Sequence, residues 1–259
     1  MGKVEKALEE GILFLRLNRP EVLNALDDEM VESLVAELEL AAEDEGIAGV
    51  ILTGTGRAFC AGADLSRFQG GVGDPRSFRW RSHRLTRLVE LLESIEKPVV
   101  VALNGLVTGI GVALALAADI RIASTEACFA FREGRIGLLP NHGGLARLVR
   151  YVGLGRARDI LLGGEELDAS KAFAYGLVTE VVPPHALLQA ARSRLLKALE
   201  RAPLSYGLVK RFLVLAGNVD LGSMLLVEAI GQSQLVATED HQEGIRAARE
   251  KRKPVFRGR

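Results

Sequence analysis

The chain has 259 residues, 48% of them apolar, and its 33 Lys plus Arg are balanced by 33 Asp plus Glu. A formal net charge of zero argues against a general nucleic-acid binder, which would carry a basic excess. Cys60 and Cys128 lack metal-ligand spacing, so reduced thiols, no metal site, no secretory leader and a cytoplasmic location are expected.

Residues 3–8 and 12–17 alternate apolar and polar side chains on either side of Glu9-Glu10-Gly11, the pattern of a hairpin. A helix follows. Asp27 or Asp28 caps it, Met30, Leu34, Leu38 and Ala41/Ala42 share one face, and Gly46 is its expected end. Residues 47–53 read as a buried strand, which completes a β-β-α unit. Residues 54–65 (Gly-Thr-Gly-Arg-Ala-Phe-Cys-Ala-Gly-Ala-Asp-Leu) open like a phosphate loop but lack the Gly-Lys-Ser/Thr ending. They read instead as a glycine-rich strand exit that presents main-chain amides near residues 61–65, with Asp64 fixing its own loop. A loop is predicted over residues 69–74. A helix is predicted over residues 77–94, with Leu85, Leu88, Val89 and Leu92 inward and His83 on the solvent side.

Residues 98–118 contain no charged side chain, and three readings compete for them. The length suits a membrane span, but Pro98, Asn104-Gly105, Gly109 and Gly111 interrupt it where a soluble strand–turn–helix would break. Gly109-Ile-Gly111 suits a dinucleotide turn, except that Leu114 stands where the third small residue belongs. An oxyanion-binding turn is the third reading. Glycines let the backbone approach a ligand, and the first amides of the following helix are unpaired and lie at its positive end. Such a turn polarises a carbonyl without any special side chain.

Beyond residue 144, short helices are expected over 145–152, 157–162 and 169–175, a strand over 178–182 and a long helix over 185–201. Three more helices follow, divided near Gly217-Asn218 and residues 238–240. Met224, Leu225, Ile230 and Leu235 give them more apolar surface than an isolated appendage needs, so they are expected to pack on a neighbouring subunit or back over the rest of the chain. The basic tail (Arg249, Lys251, Arg252, Lys253) reads equally as a solvated run or as a phosphate contact.

Several blocks together carry a resemblance. They are Asn18-Arg-Pro with Asn24-Ala-Leu, Gly56-Arg-Ala-Phe-Cys-Ala-Gly-Ala-Asp-Leu65, Lys97-Pro-Val with Asn104-Gly, Ala118-Asp-Ile-Arg-Ile-Ala123, Gly137-Leu-x-Pro140 with Gly143-Gly144, Ala174-Tyr-Gly-Leu-Val178, and Glu243-Gly-Ile-Arg-Ala with Lys253-Pro-Val-Phe256. In this order and spacing the chain resembles the enoyl-CoA hydratase/isomerase (crotonase) family. The resemblance implies an α/β fold, a spiral of repeated β-β-α units over residues 1–200, followed by a helical oligomerisation region over residues 201–259. It implies a homotrimer or homohexamer, an acyl-CoA thioester substrate, no cofactor beyond that coenzyme A, and no nucleic-acid or membrane partner. It assigns the oxyanion amides to Ala63 and Ile110, with Ile110 in place of the usual glycine. It assigns adenine contacts to the backbone of Ala61 and Leu65, and further substrate contacts to Gly109, Gly111 and Asn141.

Hydratases of the family carry two glutamates. The resemblance places the first at Ala113, whose methyl group transfers no proton, and the second at Glu133. A single glutamate suffices to move a proton between two carbons of an allylic thioester, so double-bond isomerisation in fatty-acid or related acyl-CoA metabolism is the expected activity. Hydration, thioester hydrolysis, decarboxylation and a non-catalytic acyl-CoA scaffold are the alternatives. Glu133 alone, between Arg132 and Arg135, would read as a salt-bridged surface residue. His142 is expected to flank the helix that starts near Gly143.

Overall fold

A computed structural model of the chain describes residues 2–68 and 74–259; of the predicted loop over 69–74, residues 69–73 lie outside it. Strands β1 (Val4–Glu9) and β2 (Ile12–Leu17) pair antiparallel, with Val4 opposite Leu17 and Glu9 opposite Ile12. Glu10 and Gly11 both take positive φ, 49° and 78°, as a two-residue hairpin of this twist requires.

Helix α1 (Asp28–Glu43) is capped by Asp27, whose Oδ1 accepts the Met30 N–H at 2.9 Å. Met30, Leu34, Leu38 and Ala41 are buried, whereas Ala42 is exposed. The helix stops before the expected Gly46. The Asp44 carboxylate accepts the Gly46 N–H at 2.8 Å, and Lys97 Nζ donates to the Asp44 carbonyl at 2.7 Å. The end is thus a carboxylate turn locked by a distant lysine, and the glycine lies inside the turn. Strand β3 (Gly49–Gly54) starts two residues later than expected, because the Ile47 N–H is held in the preceding turn by Asp44 O at 3.0 Å.

The chain continues through β4 (Ala58–Cys60), α2 (Pro75–Ser94), β5 (Val99–Leu103), β6 (Leu106–Thr108), α3 (Ile110–Ala117), β7 (Ile120–Ser124) and β8 (Cys128–Ala130). Then come α4 (Gly144–Leu161), β9 (Leu167–Asp168), α5 (Ala169–Ala174), β10 (Glu180–Val182), α6 (Leu187–Leu199), α7 (Pro203–Ala216), α8 (Leu221–Leu235) and α9 (Glu239–Glu250). Helix α4 spans both short helices expected there and is broken at Gly153, which has non-helical φ 78° and ψ 163°.

Two sheets result, ordered β1-β2-β3-β5-β7-β10 and β4-β6-β8-β9. Successive β-β-α turns lay one strand in each sheet, and this alternation makes the spiral. Strands β2, β3, β5, β7 and β10 run parallel, and such sheets are buried on both faces. Val99, Val101 and Leu103 enter the main core. Val100 and Ala102 face a second cluster, in which Leu187, Ala191 and Leu195 of α6 cover Ile12, Ile51 and Ile122. The unbroken Val99-Val100-Val101 run is therefore a strand with two dry faces. Among the described residues no helix is long and apolar enough to cross a membrane.

Helix α7 is fastened to this core by one buried cluster. Asp119 Oδ2 accepts the Val99 N–H at 2.7 Å and the Lys210 ammonium at 2.8 Å, and the Tyr206 hydroxyl also bonds Asp119. Lys210 is 6% exposed and also reaches the Lys97 carbonyl at 3.1 Å. Burial pushes the Asp119 carboxyl up and the Lys210 ammonium down. Removing one partner of such a pair strands a charge, so Lys210→Met is expected to cost about 3–5 kcal/mol in denaturant unfolding. A loss below about 1 kcal/mol would mean that water reaches Asp119.

Candidate functional site

The first amide-bearing turn is held from below by Asn24. This residue is fully buried with φ 58°. Its amide donates to the Thr55 and Ala58 carbonyls at 2.9 and 2.8 Å, and its oxygen accepts the Arg19 N–H at 2.9 Å. The Arg19 guanidinium then bridges the Ala25 carbonyl and Asp64, each at 2.9 Å. The other Asp64 oxygen accepts the Ser66 N–H at 3.0 Å. These bonds, Ser66 first and then Arg19, hold the Asp64 carboxyl at about 2. Asp64 fixes its own loop, as its sequence setting suggested.

Ala63 forms a single parallel bridge with Leu26. Leu26 N–H donates to Gly62 O at 2.8 Å, and Asp64 N–H donates to Leu26 O at 2.9 Å. In this pattern the N–H of Ala63 itself points away from Leu26. The planar trans peptide also sets it opposite Gly62 O. Ile110 opens α3, where the first amides have no partner within the helix. Gly109 precedes it at φ 58° and ψ −132°, and its carbonyl takes the Val112 N–H at 3.0 Å.

The two turns touch through their glycines. A Cβ on Gly109 would lie 3.0 Å from Gly62 Cα, and one on Gly62 would lie 3.5 Å from Gly109 Cα. The residues just before Ala63 and Ile110 are thus in main-chain contact, although the two glycines are 47 positions apart in sequence. Gly111 serves the same closeness, since a Cβ there would come within 2.8 Å of Cys60 Cβ. Burial pushes the Cys60 thiol up to about 12, so it stays neutral. Ile110 turns its side chain into the core, which is where the bulk replacing glycine goes. Ala61 N–H is spent on Leu23 O at 2.9 Å; Leu65 is 62% exposed.

Glu133 opens a short 3-10 turn (Glu133–Ile136) that closes at Gly137, whose φ is 74°. Its Oε2 is buried and, among the described residues, has no hydrogen-bond partner. Desolvation raises its carboxyl above the usual range, opposed only by a bond to its own backbone. The flanking arginines do not pair with it. Arg132 forks onto Glu166 at 3.0 and 3.1 Å, and Arg135 approaches the same carboxylate at 3.6 Å. Ala113 is 1% exposed, and a Cβ on Gly144 would lie 3.6 Å from its methyl carbon.

His142 takes φ 52°, and its Nδ1 lies 3.0 Å from Thr86 Oγ1 on α2. Its carbonyl accepts from Arg147 at 3.1 Å, just ahead of α4, where Gly143 is the cap. It flanks that helix, as expected. Asn141 is exposed, with its carbonyl on the Gly144 N–H at 2.9 Å. The basic tail is folded onto α9. Arg252 bonds Glu243 and Glu250, and the Val255 N–H donates to Glu243 at 3.0 Å. Arg252 is therefore committed, and neither a freely solvated run nor a phosphate contact describes it. Sequence reading missed Thr86 and Glu166, which look like ordinary surface positions and carry no local signal.

This fold recurs in known proteins. Solved structures that share the whole architecture include the enoyl-CoA hydratase from Bacillus anthracis, with TM-score 0.93, 33% identity and 100% of each chain covered. The 2,3-dehydroadipyl-CoA hydratase of Escherichia coli is 35% identical over 264 residues, covering 100% of both chains. The 1,2-epoxyphenylacetyl-CoA isomerase of the same organism is 35% identical over 254 residues, covering 97% of both. Residues 7–259 match the family described as enoyl-CoA hydratase/isomerase. The chain belongs to the enoyl-CoA hydratase/isomerase family and has the crotonase-type fold.

Proposed function

We propose that this protein acts on an enoyl-CoA thioester and moves its double bond through an enolate, with Glu133 as the single acid/base group. One observation carries the reading. Of the two positions where the resemblance places a glutamate, Glu133 has a buried oxygen with no partner among the described residues, and the other is Ala113, packed under Gly144. The amides of Ala63 and Ile110 grip the thioester oxygen, and the dipole of α3 favours the charge that develops there. With a 3-enoyl thioester, the Glu133 carboxylate takes a proton from C2 as the C2–H bond breaks. The electron pair spreads onto the gripped oxygen as a dienolate. Glu133 returns the proton to C4, and the double bond settles between C2 and C3. A carboxyl raised by desolvation suits both halves, base first and acid second. The adenine lies along the Ala61 carbonyl and the Leu65 backbone, since the Ala61 amide is already used. The acyl end passes Gly109, Gly111 and Asn141.

Hydration is the second reading, favoured by relatives whose names are hydratases. It needs a second group to order and deprotonate water. Matched 2-enoyl and 3-enoyl thioesters decide between them: a double-bond shift outpacing formation of 3-hydroxyacyl product supports isomerisation, and the reverse overturns it. The same reading includes a homotrimer or homohexamer. Leu213, Leu221, Leu225 and Leu226 of α7 and α8 are exposed, more apolar surface than a monomer usually leaves open. A monomer mass by light scattering would contradict it.

A further inference from the structure

We infer that Glu166 is a positioning residue: it grips both arginines of the turn that bears Glu133 and keeps them off the Glu133 carboxyl. This rests on Glu133 being the base. The geometry is a two-point clamp. Arg132 precedes Glu133 and Arg135 follows it by two, so both ends of one 3-10 turn are tied to a single carboxylate from the segment between α4 and β9. Glu166 is the carboxylate that both guanidiniums reach, although Glu133 lies only one and two residues from them in sequence. Here the fork of Arg132 is filled by Glu166 through two parallel bonds, and Arg135 leans on the same oxygen.

The charges around the turn sort into one network that leaves Glu133 out. Arg132 is raised chiefly by its bond to Glu166, and Glu166 is lowered chiefly by its bond to Arg132 and further by the charges of Arg132 and Arg135. Cys128 of β8 answers to its own burial and to Glu166, Arg132 and Asp168. Asp168 and Glu165 are held by Lys171. His142, on the turn that follows, is bonded to Thr86. Desolvation raises Glu133, and a bond to its own backbone opposes it. A released guanidinium beside it would favour its charged form and make it a weaker base.

The test is the pH profile of kcat/KM for solvent-deuterium exchange at the α-carbon of an enoyl-CoA. The pair is half-exposed, so Glu166→Gln should leave Tm nearly unchanged. It should move the acid limb down by about one pH unit or more and lower the plateau about tenfold. Glu166→Asp should behave closer to the wild type. The triple variant Arg132→Gln/Arg135→Gln/Glu166→Gln should return the limb to its wild-type position. A limb that stays in place in Glu166→Gln, or one that the triple variant fails to return, overturns the inference. Exchange that survives Glu133→Gln would instead bring down the assignment of Glu133 itself, and that failure shows without touching Glu166.

Discussion

Glu133→Gln is expected to abolish α-proton exchange and double-bond migration, by about a thousandfold or more, with little change in KM for the thioester. Glutamine keeps the volume and the hydrogen-bonding reach of the side chain but carries no exchangeable acid. The same substitution should not cost stability. Burial raises the Glu133 carboxyl, so its ionised form burdens the folded state. The folded pKa lies above the unfolded one; a carboxyl of this kind makes the fold more stable as pH falls through that window and less stable above it. Near neutral pH the variant should therefore melt at or above the wild-type temperature. Loss of exchange together with a clear fall in Tm would indicate a structural defect. Exchange retained at a tenth of the wild-type rate or better would remove Glu133 from the chemistry. The wild-type acid limb should sit above the ordinary carboxylate range, for the same desolvation.

Gly109→Ala is expected to damage the candidate oxyanion site severely. It adds a Cβ 3.0 Å from Gly62 Cα, at φ 58° and ψ −132°, where only glycine is comfortable. The backbone strain costs about 1–3 kcal/mol, and the contact can be relieved only by parting the two turns. Parting them draws the Ile110 amide from the thioester oxygen, and losing one such donor costs about 10²–10³ in kcat. A control lies 25 residues further along the chain at Gly134, where an added Cβ meets nothing within 4 Å and φ is not positive. Gly134→Ala should lose little in either respect. Equal effects of the two substitutions would contradict a special role for the Gly62–Gly109 contact.

Much of this was legible in the residues. The hairpin, the buried face of α1, the dry strand at Val99–Leu103 and the glycine turn before α3 follow from local pattern, because each is decided within a few residues by side-chain alternation or by a needed φ. The blocks that carry the family resemblance have physical work in the structure. Asn24 satisfies two carbonyls and an amide beneath the first turn, Asn104 accepts the Gly54 N–H, and Asp119 and Arg121 serve buried backbone and Lys210. What pattern could not supply were partners distant in sequence. Lys97 closes the end of α1 from 53 residues away, Arg132 finds Glu166 at 34, and Asp119 finds Lys210 at 91. The misplaced end of α1 has this origin: Gly46 carried the local signal, while the actual stop depends on Asp44 and that far lysine. The break at Gly153, which divides α4 into the two short helices expected there, was legible too.

The convergence of the Ala63 and Ile110 amides on one oxygen is tested most directly by the spectrum of a bound chromophoric enoyl-CoA, whose absorption moves to longer wavelength when its carbonyl is polarised. Saturating wild-type protein should shift the band, Glu133→Gln should keep the shift, and Gly109→Ala should lose most of it while still binding. A saturated wild-type complex whose spectrum matches that of the free thioester would contradict the proposed oxyanion site.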